Sequence, residues 1–265
     1  MARRERFEDQ VIVITGSAKG IGFATAELAA EEGAHIVICD LDANEVEAAV
    51  AKLKAQGGRA MGVVGDVSKQ SQVHANVEEI MAAHGRIDIL VNNAAINTYE
   101  PTLSMSEEIW NRELSIVLTG TFLWSQAVGV ASMIPARKGS IVNLGSGAAL
   151  AALPNCAAYV AAKHGVVGLT KSMAVDWGQY NIRVNSVCPG LTFTDLAKAA
   201  AEQAPEQMRL REQRIPIQRG AQPVDVARTI LFLASYEGDA ISGVSVAVDG
   251  GTMALSSGFS APSGG

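Results

Sequence analysis

The sequence predicts an α/β fold in which a parallel β-sheet is covered by helices on both faces. Three observations predict it. Short β-branched runs alternate along the chain with Ala- and Glu-rich segments of helical composition. The short runs are apolar throughout, as strands buried on both faces must be. A chain of 265 residues with 48% hydrophobic and 18% charged side chains also has enough apolar material for one deep core rather than two shallow ones.

The elements follow in order. Val11 to Thr15 reads as a strand, Gly16 to Gly22 as a glycine loop, and the residues through Glu31 as a helix that Gly33 stops. A second strand, His35 to Cys39, ends at Asp40, and the stretch from Asn44 to Gln56 reads as a helix ended by Gly57 and Gly58. Further strands are expected at Ala60 to Val64, Ile87 to Val91, Ser140 to Leu144, Arg183 to Val187 and Val244 to Val248. No linker or internal repeat interrupts this alternation, so residues 1–265 are read as one domain. The segment Thr192 to Ile217 departs from the pattern, being rich in Ala, Gln, Glu and Arg between Pro189 and Pro216. Leaving the carboxyl end of a strand, where open α/β sheets bind ligands, it is placed to act as a substrate lid.

Composition excludes several functions. The formal net charge is −6, and the only basic cluster, Arg3, Arg4 and Arg6, reads as a solvated tail, so no nucleic-acid partner is expected. Cys39, Cys156 and Cys188 form no C-x-x-C pair, which argues against a metal site and suits a reducing cytoplasm. No signal-peptide pattern opens the chain. Leu114 to Ala136 carries no charge and is long enough to span a bilayer, but its Ser, Thr, Gln and Gly content makes it too polar for a membrane span; a helix buried all round, in the core or between subunits, is expected.

The loop Gly16-Ser17-Ala18-Lys19-Gly20-Ile21-Gly22 sits between strand and helix. There glycines allow close approach to a pyrophosphate, and the helix N-terminus favours its charge. Asp40, followed by Leu41 after the next strand, is where a carboxylate accepts hydrogen bonds from an adenosine ribose diol. The same carboxylate repels a 2′-phosphate, which favours NAD over NADP, although Lys19 argues mildly the other way.

With the T-G-x-x-x-G-x-G loop, Asn92-Asn93-Ala94-Ala95, and Tyr159-x-x-x-Lys163 downstream of Ser146, the sequence closely resembles the short-chain dehydrogenase/reductase family from Phe7 to Gly251. The resemblance implies a Rossmann-type sheet of about seven strands and a homotetramer or homodimer. It further implies that Asp66 and Val67 flank the adenine, that Asn93, Ala94 and Ala95 line the cofactor cleft, and that Pro189, Gly190, Thr192 and Thr194 hold the nicotinamide end. Asn97, Ala148, Leu153, Asn155 and Leu191 are expected to face the substrate. Hydride transfer from an alcohol needs a base at its oxygen. Tyr159 serves if a fixed cation lowers its phenol pKa, and Lys163, four residues on, lies on the same helix face. In the family the lysine also bonds the nicotinamide ribose. Ser146 is expected to orient the substrate oxygen. The expected activity is therefore NAD-dependent interconversion of a secondary alcohol and its ketone.

Two alternatives are an NADPH-dependent 3-oxoacyl-carrier-protein reductase and a weakly active nucleotide sensor or scaffold. The second rests on one departure: the family's usual asparagine, which helps hold a relay water, is replaced by Val117, which has no donor or acceptor. Main-chain carbonyls, with Ser115 as an alternative, are expected to hold that water. Arg209, Arg211 and Arg214 in the lid offer an anion clamp, but on a helix they are expected to face solvent.

Overall fold

A computed structural model describes residues 5–194, 197, 202 and 205–256. Its centre is a seven-stranded sheet of β1 (Val11–Thr15), β2 (His35–Asp40), β3 (Arg59–Val64), β4 (Ile89–Asn92), β5 (Gly139–Leu144), β6 (Ile182–Pro189) and β7 (Ser245–Val248). Every pairing is parallel, and the strand order is β3-β2-β1-β4-β5-β6-β7. The order reverses between β1 and β4, and a crevice opens beyond the strands' carboxyl ends at that switch point.

Period-two alternation divides the strands β1 to β6 between two cores. Ile12, Ile14, Ile36 and Ile38 pack on one face beneath α1 (Gly20–Glu31) and α9 (Pro223–Ala234), together with Phe7 and Leu231. Val11, Val13, Val37 and Leu90 pack on the other with Ile80 of α3 (Gln70–His84), Trp124 of α5 (Gly120–Val128) and Met173 of α7 (Ala157–Trp177). Between α1 and α3, α2 (Ala43–Ala55) starts on Asp42, whose carboxylate accepts from the N–H groups of Asn44 and Glu45, and places Val46, Ala49 and Leu53 inward.

The apolar run becomes part of one helical segment, Glu107–Ala136, made of α4 (Glu107–Leu114), α5 and α6 (Ile134–Ala136) joined through π-turns at Ser115–Thr119 and Gly129–Met133. It is long and apolar enough to cross a membrane. Within this chain it is not buried all round: Trp124 and Val128 are in the core, whereas Phe122 and Val130 remain exposed. Arg6 also departs from the solvated tail expected of it, since its guanidinium pairs with Glu32 and with Glu237 at 2.6 Å. Arg3 and Arg4 lie outside the described residues, as does part of the lid, whose described helix is α8 (Pro205–Gln213).

Candidate active site

The glycine loop is shaped by backbone contacts. Gly16 and Gly20 have φ of +61° and +62°, and a Cβ on Gly16 would stand 2.7 Å from the Ala94 Cα. Gly22 lies against the loop itself, where a Cβ would meet the Gly16 carbonyl oxygen at 2.6 Å. Thr15 and Asn93 tie the loop to β4. The Thr15 hydroxyl accepts from the N–H groups of Asn93 and Ala94 at 3.0 and 3.1 Å, and the Asn93 amide donates to the Thr15 and Gly16 carbonyls at 3.0 and 2.6 Å. On the other side, Ser17 N–H donates to the Cys39 carbonyl and Ala18 N–H to Asp40 Oδ2 at 3.0 Å. Helix α1 begins at Gly20, and no side chain caps its N-terminus. Its first-turn donors and positive dipole end are therefore available to an anion.

This loop forms one end of a cleft of about 310 Å³ lined by Gly16, Lys19, Gly20, Ile21, Asp40, Asn93, Ala94 and Ala95. At the other end Ser146, Tyr159, Lys163, Pro189, Gly190, Thr192 and Thr194 share the wall with Asn97, Leu153 and Leu191. The residues expected from two distant stretches of sequence thus meet in one crevice.

Several expected residues stand elsewhere. Ser17 is fully buried, its hydroxyl donating to the Ile14 carbonyl at 2.6 Å and accepting from Cys39 N–H, so its role is to brace the loop. Gly22 serves close packing and does not line the cleft. Leu41 projects outward at 69% exposure. Asp66 and Val67 are outside the cleft lining; Asp66 accepts from Ser68, and Val67 packs against Gly120. Ala148 is buried behind Ser146, and Asn155 is an exposed turn residue with φ +57° whose carbonyl accepts from Glu100. In their place Tyr99, Leu144, Gly145, Ala197 and Arg211 line the cleft. Arg211 is among the lid arginines expected to face solvent, and nothing local in the sequence marks Tyr99 or Ala197, because tertiary packing brings them there.

Tyr159 and Lys163 lie one helical turn apart on α7, with the lysine Nζ 5.6 Å from the tyrosine ring centroid. Lys163 is 2% exposed and donates to the Leu144 carbonyl at 2.5 Å. Burial pushes its ammonium down to about 8, with the Cys188 thiol acting in the opposite sense. Burial pushes the Tyr159 phenol up to about 12, against the opposing hydrogen bond from Ser146 and the positive charge of Arg211. Desolvation therefore governs the phenol, and the cation acting against it is Arg211 rather than the expected Lys163. Ser146 follows β5, and its Oγ also accepts from Ala148 N–H at 3.1 Å, fixing the short turn Gly147–Ala149.

Beneath the site runs a buried polar ladder. Asn92 donates to Ser125 at 2.9 Å and to Asn143 at 2.8 Å, and Asn143 donates to Thr170 at 2.9 Å, tying β4, β5, α5 and α7 together. Val117 is buried against Ala162 and Val166, filling the neighbouring space with apolar atoms. Its carbonyl accepts from the Thr121 hydroxyl at 2.7 Å. The alternative donor, Ser115, gives its hydroxyl to the Arg112 carbonyl of its own helix.

A doubly wound parallel sheet with an uncapped glycine loop and a buried Tyr–Lys pair at its switch point defines a nucleotide-dependent oxidoreductase. A family model described as enoyl-(acyl carrier protein) reductase matches residues 16–253. The chain is 38% identical over 253 residues to 2-(S)-hydroxypropyl-CoM dehydrogenase 3 of Xanthobacter autotrophicus, covering 94% of this chain and 99% of that one. It is 40% identical over 246 residues to D-threitol dehydrogenase of Mycolicibacterium smegmatis, covering 93% and 94%. A solved 3-oxoacyl-[acyl-carrier protein] reductase with bound NAD from Brucella melitensis superposes with a TM-score of 0.84 at 33% identity, covering 94% and 93%. The chain belongs to the short-chain dehydrogenase/reductase family, whose members use nicotinamide cofactors.

Proposed function

We propose that this protein is an NAD-dependent oxidoreductase that interconverts a secondary alcohol and its ketone, with Tyr159 as the proton-exchanging group. The observation that carries the proposal is the meeting of Ser146, Tyr159 and Lys163 with the glycine loop and Asp40 in one cleft. The uncapped α1 N-terminus and the closely approaching Gly16 and Gly20 suit a pyrophosphate, so the residues fit a dinucleotide. When bound, the nicotinamide supplies the hydride donor or acceptor.

The remaining chemistry belongs to the chain. Ser146 donates to oxygen and shares its developing charge. With its pKa near 12 the phenol of Tyr159 holds its proton at neutral pH, the form that donates to a ketone oxygen. Oxidation of an alcohol needs that proton removed, so the cations Lys163 and Arg211 favour it and alkaline pH accelerates it. Asp40 supports NAD: its two carboxylate oxygens are fixed by Ala18 and Leu41 N–H groups at 3.0 and 2.8 Å, where a 2′-phosphate would meet like charge. Lys19, the residue that argued for NADP, pairs with Glu45 at 3.0 Å. The exposed Phe122 and Val130 support assembly as a homo-oligomer, a tetramer by analogy with the family, and three buried free cysteines suit the cytoplasm.

Turnover of a panel of secondary alcohols, ketones and a 3-oxoacyl thioester with each dinucleotide tests the reading. Alcohol or ketone turnover with NAD is expected. Thioester reduction confined to NADPH would favour the carrier-protein reductase, and NAD binding without turnover of any substrate would favour the sensor.

A further inference from the structure

Of the three arginines in or beside the lid helix α8, two behave as surface residues. Arg209 is exposed and pairs with Glu206 at 2.6 Å, and Arg214 is exposed. Arg211 is different. It is half-buried and lines the same cleft as Tyr159, Ser146 and Asn97. It shares the cleft wall with Tyr99, Leu153 and Tyr159 at the substrate end of the site, and its charge acts against the burial that raises the pKa values of Tyr99, Cys156 and Tyr159.

What Arg211 lacks, among the described residues, is a counterion. Asp40, the one carboxylate lining the cleft among the described residues, stands at the glycine-loop end and is bonded to backbone N–H groups there. Glu113, whose charge acts on Cys156 in the same region, is fully buried and accepts from the Thr98 N–H. A half-buried guanidinium with no acid paired to it among the described residues retains donors in a planar fork that matches an oxyanion.

We infer that the substrate is a short secondary alcohol or ketone carrying an anionic oxygen group, a carboxylate or a sulfonate, which Arg211 receives with the Tyr99 hydroxyl while the carbinol or carbonyl oxygen meets Tyr159 and Ser146. This names the substrate class of the site proposed above and rests on that reading. The lid then contributes specificity through charge, and an uncharged analogue of equal length leaves Arg211 unpaired, as a site built around a polar contact requires for discrimination.

The test compares the keto acid levulinate, its sulfonate counterpart and the neutral amide levulinamide on the wild type, Arg211→Gln and Arg211→Lys. The ratio of kcat/KM for anion over amide is expected to favour the anion by at least ~10-fold in the wild type, to collapse in Arg211→Gln and to recover partly in Arg211→Lys. The stronger of the two anions identifies the head group. An unchanged ratio in Arg211→Gln, or a wild type indifferent to charge, overturns the inference. Calorimetric binding of pentanoate, which has no carbonyl to reduce, separates the two layers of argument. Binding lost in Arg211→Gln supports the anion site even if no ketone is turned over, in which case the oxidoreductase reading alone fails. Binding that is absent in the wild type or unaltered in the variant overturns the anion site even if turnover is seen.

Discussion

The two ends of the cleft are built in different ways. At the glycine-loop end, almost every contact is made by backbone or by a side chain gripping backbone: Thr15 and Asn93 on one side, Ser17 and Asp40 on the other. At the lid end the wall comes from side chains of separate elements, with Tyr99 from a loop and Arg211 from α8. The first end is fixed by backbone contacts, while the second can change its chemistry by exchanging single side chains. Such a division lets one fold host different substrates.

The largest effect that would sharpen this contrast is expected at the Tyr–Lys pair between the two ends. Lys163→Met should lower turnover on the order of 10³-fold. Its effect on stability should have the opposite sign. Burial lowers the Lys163 pKa from 10.5 to about 8, so at pH 7 the ammonium is charged in both folded and unfolded states and its full desolvation cost is present. That cost, ~3 kcal/mol from the shift, is partly offset by the hydrogen bond to Leu144, whose loss would orphan a carbonyl. The Met variant should therefore unfold at higher denaturant than the wild type at pH 7, by ~1 kcal/mol. Its advantage should vanish as pH rises from 8 to 10.5, where the unfolded wild type holds a proton that the folded form has released. A variant less stable at every pH would show that Lys163 is held by packing rather than kept for chemistry.

A smaller effect separates the two ends directly. Gly22→Ala forces a methyl to within 2.6 Å of the Gly16 carbonyl oxygen and 2.7 Å of the Ser17 Cα, both backbone, and should cost ~1–3 kcal/mol along with most dinucleotide affinity. Arg214→Ala, on the exposed lid, should stay within ~0.5 kcal/mol. Chemical denaturation of both variants measures the difference; equal losses would break the distinction between a backbone-built end and a side-chain-built one.

That distinction also explains how much was legible in the sequence. All seven strands were found within two residues at either end, because buried parallel strands are apolar on both faces and stand out. The glycine loop, Asp40 and the Ser146, Tyr159 and Lys163 set could be read because their spacing is local or bound to one motif. Ser17 and Gly22 lie inside that motif but brace the loop from behind, a direction that spacing does not encode. At the lid end Ala148 and Asn155 were expected and Tyr99 and Arg211 were found, since which face of a lid helix turns inward depends on how the lid docks. The run Leu114 to Ala136 was expected to be buried all round, in the core or between subunits; its apolar composition could not tell the core-facing Trp124 from Phe122, which is exposed within this chain.

The most direct test of the account is a structure of the protein with NAD and an anionic ketone in the cleft. The Tyr159 oxygen is expected within ~2.6–3.2 Å of the ketone oxygen, with the carbonyl carbon facing the nicotinamide ring and the head group on Arg211. A Tyr159 oxygen turned away from the nicotinamide, leaving no room for a carbonyl between them, would contradict the account.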